Sequence, residues 1–441
     1  MEQTQDMIRI PTDCGDEAAR RGFSHMATSM VGSSILKIAN EIRALRERGV
    51  EVADLTVGDF SPEQFPIPDA MRKYLVEAIE QGDTNYPPSA GDHSLRSAVK
   101  EYMMATQGLD YPIDGIAIVS GGRPSLYSTY RLLVDPGELV LFPTPSWNNH
   151  NYRDTCQVRV RGIRARKEDA FQPTVDLLAP HAKEARLIVL NSPQNPSGGV
   201  MPREEVAKFG TFLVEENERR KQAGEKPLYL LYDQIYSLIT FPGYDHYSPV
   251  QLVPECAPYV IHADGISKGF CATGLRCGWL VGPPAVVRKV IALGTHVGAW
   301  APKPVQVATA KFLRDAPAMK AWREDLLGRV VSSLEIAHDG IQQMKADGLP
   351  VDSIEPQGAI YLSLQFRLHG KRTPGGHVLE HSEDIREYLL QDAAFGLVPF
   401  NAFGVEEDEE DGWFRASIGA VSEDELREAL PRVRKALEAL S

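Results

Sequence analysis

Lys268 and Arg276 stand among small residues in the stretch Asp264-Gly265-Ile266-Ser267-Lys268-Gly269-Phe270-Cys271-Ala272-Thr273-Gly274-Leu275-Arg276-Cys277-Gly278-Trp279. A lysine amine is a nucleophile and a base once its charged form is disfavoured; unperturbed, it titrates near 10.4 and is neither at neutral pH. Arg276 is the nearby cation expected to help. Read alone, a lysine at a strand end simply reaches for water, so the other polar residues of the chain must decide its role. Asp233 directly follows the apolar run LYLLY, with Tyr236 three residues on. A carboxylate ending a buried strand costs desolvation free energy unless a cation or a protonated ring nitrogen sits nearby. Asn191-Ser192-Pro193-Gln194-Asn195-Pro196-Ser197-Gly198-Gly199 is a polar loop whose prolines and glycines fix one backbone path. In Ser120-Gly121-Gly122-Arg123-Pro124 two glycines let the backbone approach a ligand, and free N–H groups at the helix start that follows attract an anion such as phosphate. Many such turns are only turns. Trp147, just past a strand in PTPSWNNHNY, could stack on a flat ring, although a lone aromatic is more often core.

These loops need elements that bring them together. Apolar runs recur at IAIV (116–119), LVLF (139–142), VRVRGI (158–163), RLIVL (186–190), LYLLY (228–232) and YVIHA (259–263). Apolar residues at successive positions predict strands buried on both faces, and the stretches between, such as REEVAKFGTFLVEENERRK, have helical periodicity. The middle of the chain is therefore expected to be an α/β sheet domain, with its loops gathered at the carboxyl ends of the strands. ILKIANEIRALRERG near the start, and AMKAWREDLLGRVVSSLEIAHDGIQQMKA, AIYLSLQF and EDELREALPRVRKALEAL near the end, predict a smaller α+β domain built from both termini. The expected division is an N-terminal tail over 1–25, a small domain over 26–60 and 306–441, and a large domain over 61–305.

The bulk composition narrows the partners. With 441 residues, 43% of them hydrophobic, the chain can bury large cores. A formal net charge of -13 argues against nucleic acid or an anionic membrane and favours a small-molecule substrate. Cys14, Cys156, Cys256, Cys271 and Cys277 are an odd, scattered set without a C-x-x-C pair, which suggests neither a disulfide framework nor a zinc site and fits a reducing cytoplasm. His369, His377 and His381 lie among Pro and Gly without a rigid spacing and predict a surface loop rather than a metal site; the acidic run GVEEDEEDG (404–412) predicts a solvated loop. The acidic N-terminus lacks an apolar targeting segment and is expected to be loose.

NSPQNPSGG, YDQIY and SKGFCATGLRCGW, in this order, resemble the fingerprint of the class I/II aminotransferases, fold-type-I enzymes that use pyridoxal 5'-phosphate (PLP). The similarity runs from about Ile35 to the C-terminus. It implies a large domain with a mainly parallel seven-stranded sheet sandwiched by helices, plus the smaller α+β domain. By the same resemblance Lys268 holds the cofactor covalently, Asp233 partners the pyridine nitrogen, and Tyr236 and Asn195 sit at the phenolic oxygen. Arg276, Ser267 and the turn Gly121, Gly122 and Arg123 fall at the cofactor, with Trp147 beside its ring; Arg415, in WFRASIG, matches the arginine that receives the substrate carboxylate, with Asn195 and Gly58 at the substrate too. Tyr86, in NYPPSAGDHSLRSA, matches a tyrosine that reaches the phosphate of a neighbouring subunit, which implies a homodimer with shared active sites.

The departures from the pattern are modest. Cys271 and Cys277 replace residues that are usually small or aliphatic, Ser192 and Ser197 stand where Pro or Thr are commoner, Trp147 stands where Tyr is frequent, and many relatives carry something other than Arg123. None removes a reacting group. The resemblance implies transfer of an amino group from an L-amino acid to a 2-keto acid; a lyase or synthase working by β- or γ-elimination would use the same Lys268, Asp233 and Arg415. Arg131, eight positions beyond Arg123 and slightly over two helical turns away, is a candidate for the distal carboxylate of a dicarboxylic substrate.

Overall fold

The computed structural model describes residues 15–30, 32 and 34–441. Its strands are β1 (Ala53–Asp54), β2 (Ile116–Val119), β3 (Leu139–Thr144), β4 (Arg159–Arg164), β5 (Ala185–Asn191), β6 (Tyr229–Asp233), β7 (Val260–Gly265), β8 (Gly278–Val281), β9 (Val351–Ser353), β10 (Tyr361–Phe366), β11 (Phe395–Gly396), β12 (Val398–Pro399) and β13 (Trp413–Ser417). Seven of them form one sheet in the order β2-β8-β7-β6-β5-β3-β4. All of its pairings are parallel except those that β8 makes with β2 and β7. This is the mainly parallel sheet that the apolar runs predicted. Six of its strands lie on those runs; β8, the sequence GWLV, was hidden in the stretch whose glycines and cysteines drew attention to chemistry instead.

Burial follows position in the sheet. Every residue of β2, β3, β7 and β8 is buried, as strands covered by helices on both faces must be. The edge strand β4 carries Arg159, Arg161 and Arg164 and is largely open, charges that discourage pairing with another chain. Leu187, Val189, Leu231 and Ile261 pack on one face with Tyr130 of the helix Gly122–Leu133; Ile188, Leu190, Leu230 and Tyr232 pack on the other with Phe209 of the helix Arg203–Ala223.

A four-stranded antiparallel sheet, β12-β13-β10-β9, and the parallel pair β1-β11 complete the fold. The helices Ala316–Ala346, Ser382–Ala393 and Glu423–Glu438 cover them. Their shared core joins Ala53, Leu55 and Phe60 from the N-terminal half to Leu364, Phe414 and Leu426. Segments from 53–65 and from 326–437 thus share one hydrophobic cluster. The helix Lys303–Arg314 packs on helices Asp69–Glu80 and His93–Gln107.

Two short helices, Asp16–Gly22 and His25–Ser29, occupy part of the segment expected to be loose; the acids Asp16 and Glu17 in the first turn and Arg20 and Arg21 in the last complement the dipole of the former. The rest of that expectation, residues 1–14 with Cys14, lies outside the described residues. The other four cysteines are free and buried. Among the described residues no helix is long and apolar enough to cross a membrane. The acidic run is tied down rather than wholly solvated: Arg164 donates to Asp411 at 3.0 Å, and the Ser382 N–H to Glu410 at 2.9 Å.

Candidate active site

The carboxyl ends of β2, β6 and β7 meet the second sheet at Lys268. This residue lies on the single helical turn Ile266–Gly269 directly after β7, and its Nζ donates to the Gly58 carbonyl at 2.5 Å. Burial pushes the amine down to about 8; Asp59 opposes that shift, and Arg415 and Arg123 push the same way as burial. Arg276, expected to supply this push, does not face the amine. It adopts φ 52 and turns its guanidinium to the carbonyls of Thr273 at 2.6 Å and Ser120 at 3.2 Å.

Asp233 ends β6. Its Oδ1 accepts the Ile235 N–H at 3.1 Å, and burial lifts the carboxyl up to about 7 against the pull of that N–H and of the Lys268 charge. No ion pair reaches it among the described residues. A second carboxyl, Asp264 at the end of β7, accepts from the Gly265 N–H at 2.7 Å and from Gln234 at 3.2 Å and is likewise lifted to about 7 by burial, with the Asp233 charge adding to the rise. The sequence marked only the first of these.

Arg415 on β13 is fully buried. Nη1 donates to Asn195 Oδ1 at 3.1 Å and Nη2 to the Thr56 carbonyl at 2.6 Å, while Nε has no partner. Three aromatic rings cage the cation, with its central carbon 4.9 Å from the centroids of Tyr361 and Phe403 and 5.9 Å from that of Trp147. Among the described residues only two of its five donors are engaged and no carboxylate pairs with it, which leaves a buried cation suited to receive an anion. Tyr361 also touches the Tyr236 hydroxyl at 2.6 Å and accepts from Asn195 Nδ2 at 3.2 Å. Gly58 is required here, because a Cβ would stand 2.9 Å from the Tyr361 hydroxyl oxygen and 3.3 Å from Arg415 Nη1.

At the start of the helix Gly122–Leu133, Gly121 has φ 95, and a Cβ on it would lie 2.5 Å from Arg276 Nη2. The turn and the guanidinium therefore share one small space, and a Cβ on Gly122 would meet only Ile235, at 3.6 Å. Arg123 lies 5.4 Å over the Trp147 ring, and beyond them opens a cavity of about 730 Å³ lined also by His150, Tyr152, Asn401 and Met30. Ser267 is buried beside Lys268.

Two candidates stand apart from this cluster. Tyr86 is 81% exposed, and its ring edges onto Trp300 at 5.4 Å. Arg131 lies in the last turn of its helix, about 12 Å along the axis from Arg123 at 1.5 Å per residue. Its guanidinium donates to the Cys156 carbonyl at 3.4 Å, so a role at the substrate's distal end does not fit its position.

The donor set suits a phosphorylated, ring-nitrogen-bearing aldehyde: an amine of lowered basicity, a buried carboxyl without an ion-pair partner, a phenol, an indole face, and a glycine turn beneath a guanidinium. The family described as aminotransferase class I and II matches residues 50–433. The chain is a class I/II aminotransferase. Aspartate aminotransferase of Rhizobium meliloti (strain 1021) is 29% identical over 416 residues, 93% of this chain and 94% of that protein. The crystal structure of the aspartate aminotransferase from Rhizobium meliloti superposes with a TM-score of 0.84 at 27% identity, covering 95% of this chain and 99% of the other. Aspartate aminotransferase from Thermus thermophilus, solved with maleate, gives 0.81 at 25% identity, covering 95% and 100%. This aminotransferase thus has the fold-type-I architecture, depends on pyridoxal phosphate and moves an amino group from an L-amino acid to a 2-keto acid.

Proposed function

We propose that this aminotransferase takes a dicarboxylic amino acid of the aspartate type, with Arg415 receiving the α-carboxylate and Arg123 the distal one. The observation that carries this reading is that both cations lie on one indole, 5.9 and 5.4 Å from the Trp147 centroid, within reach of the two ends of one small molecule. Relatives named aspartate aminotransferase support it, as does the dicarboxylate maleate named with one of them.

Pyridoxal phosphate, when bound, supplies the carbonyl that takes up the amine and a ring that accepts electrons from the substrate Cα. Lys268 holds it. Lowering the amine to about 8 raises its neutral fraction at pH 7 by about two orders of magnitude over an ordinary lysine. The Lys268 amine would move the proton at the substrate Cα. Asp233 would hold a proton at the ring nitrogen, and Tyr236 with Asn195 would bind the phenolic oxygen. Arg276 and the Gly121-Gly122 turn, with Ser267, would hold the phosphate, and Trp147 would cover the ring. Tyr86, exposed on its own chain, completes the site of a partner in a homodimer. Free buried cysteines support a cytoplasmic setting.

A panel of amino donors with 2-oxoglutarate, oxaloacetate and pyruvate tests the reading. Arg123→Ala should lower kcat/KM for acidic donors at least tenfold more than for aromatic ones, the size of one lost charged hydrogen bond of about 1.5 kcal/mol or more. Arg131→Ala should change both alike. Equal losses in Arg123→Ala would refute the assignment of the distal carboxylate.

A further inference from the structure

Tyr361 lies at the centre of the hydrogen bonds that surround Lys268, yet no reacting atom has been assigned to it. Its hydroxyl is fully buried between Tyr236 and Asn195. A proton count fixes the direction of the bonds made by Arg415 and Asn195. Arg415 can only donate, so its bond at 3.1 Å makes Asn195 present the amide oxygen to the guanidinium and the amide Nδ2–H to Tyr361. Tyr361 therefore accepts from Asn195 at 3.2 Å. The two phenols then share one hydrogen bond at 2.6 Å, and either oxygen could donate.

If Tyr236 donated, Tyr361 would accept twice and its own O–H would need a third partner, and the described residues offer none. If Tyr361 donates, all of its hydrogen-bonding groups are satisfied inside the protein. The only O–H left over belongs to Tyr236, which faces the site. Accepting from Asn195 also makes the Tyr361 O–H a stronger donor, since chained hydrogen bonds polarise one another.

We propose that Tyr361 is a positioning residue whose hydroxyl donates to the Tyr236 oxygen, so that the Tyr236 O–H is left free to donate to the group Lys268 holds. The relay begins at Arg415 and runs through Asn195 and Tyr361 to Tyr236. It links the arginine assigned to the substrate carboxylate to the phenol assigned to the cofactor. The Tyr361 ring also stacks on the Arg415 guanidinium at 4.9 Å, a contact that Tyr361→Phe keeps and Tyr361→Leu removes. The proposal rests on the reading of Tyr236 as the cofactor's phenol partner.

The test titrates the visible absorbance of the Lys268-linked cofactor against pH in Tyr361→Phe, Tyr236→Phe and the double variant of the holoenzyme. Thermal unfolding of each cofactor-free protein is measured alongside. Losing the donated hydrogen bond should raise the spectroscopic pKa in Tyr361→Phe by about half a pH unit, the size of one neutral hydrogen bond acting at one remove. Tyr236→Phe should raise it more, and the double variant should match Tyr236→Phe alone, because Tyr361 acts only through Tyr236. A Tyr361→Phe shift that persists undiminished in the Tyr236→Phe background would overturn the proposal. So would an unshifted titration in Tyr361→Phe with a lowered unfolding temperature, the mark of packing alone. An unshifted titration in Tyr236→Phe would instead refute the assignment of Tyr236 on which the relay depends.

Discussion

Replacing Arg415 with alanine should remove the anchor for the substrate carboxylate, and its size can be worked from the geometry. Nε and the second N–H of each terminal nitrogen are uncommitted in a fully buried cage, so a carboxylate can take two parallel charge-assisted bonds. At about 1.5 to 3 kcal/mol each, the pair contributes roughly 3 to 6 kcal/mol, or about two to four orders of magnitude in kcat/KM. The same substitution leaves the Thr56 carbonyl and Asn195 Oδ1 without a donor, which by itself lowers stability. The assay must therefore separate binding from collapse. Single-turnover rates are compared for an α-amino acid and for the corresponding amine without the α-carboxylate. The full loss should appear only with the amino acid. Arg415→Lys should recover part of it, since the charge remains while the planar fork and the stacking on Tyr361 and Phe403 are lost. Equal losses for both substrates would refute the reasoning.

Asp233 carries a prediction about stability with a definite sign. Its folded value of about 7 stands above the ordinary 3.8, so the folded cofactor-free protein binds that proton more tightly than the unfolded chain does. This contribution is present at low pH and is lost as pH rises through about 7. Asp233→Asn should therefore raise the unfolding temperature of the cofactor-free protein at pH 8 and much less at pH 5, while slowing turnover of the loaded enzyme. Scanning calorimetry at the two pH values checks it; the same difference at both, or a less stable variant at pH 8, would contradict it.

What could be read from the sequence was what neighbours in the chain decide. Lys268, Asp233, Tyr236 and Asn195 sit in short loops that directly follow or lie near strand ends, so an apolar run followed by a polar residue already located them. Contacts between distant segments were not legible. Tyr361 touches Tyr236 and Asn195 across 125 and 166 residues, and the run AIYLSLQF around it signalled only an element of the smaller domain. The backbone carbonyls of Gly58 and Thr56, which receive Lys268 and Arg415, carry no side-chain signal at all. Arg131 stands in the last turn of its helix with its guanidinium on the Cys156 carbonyl; helical spacing says which face a residue shares but not how far along the axis the site extends. Arg276 was expected to act on the Lys268 amine from its nearness in sequence, yet its left-handed backbone turns it to the Ser120 carbonyl.

The central claim, amino-group transfer through Lys268, is tested most directly by following cofactor absorbance through both half-reactions in the wild type and in Lys268→Ala. An amino donor alone should bleach the lysine-linked band of the wild type, and a 2-keto acid alone should restore it; Lys268→Ala should lack that band and nearly all turnover. A Lys268→Ala enzyme with the band and normal rates would contradict the account, and so would a wild type that releases ammonia and pyruvate instead of returning with the keto acid.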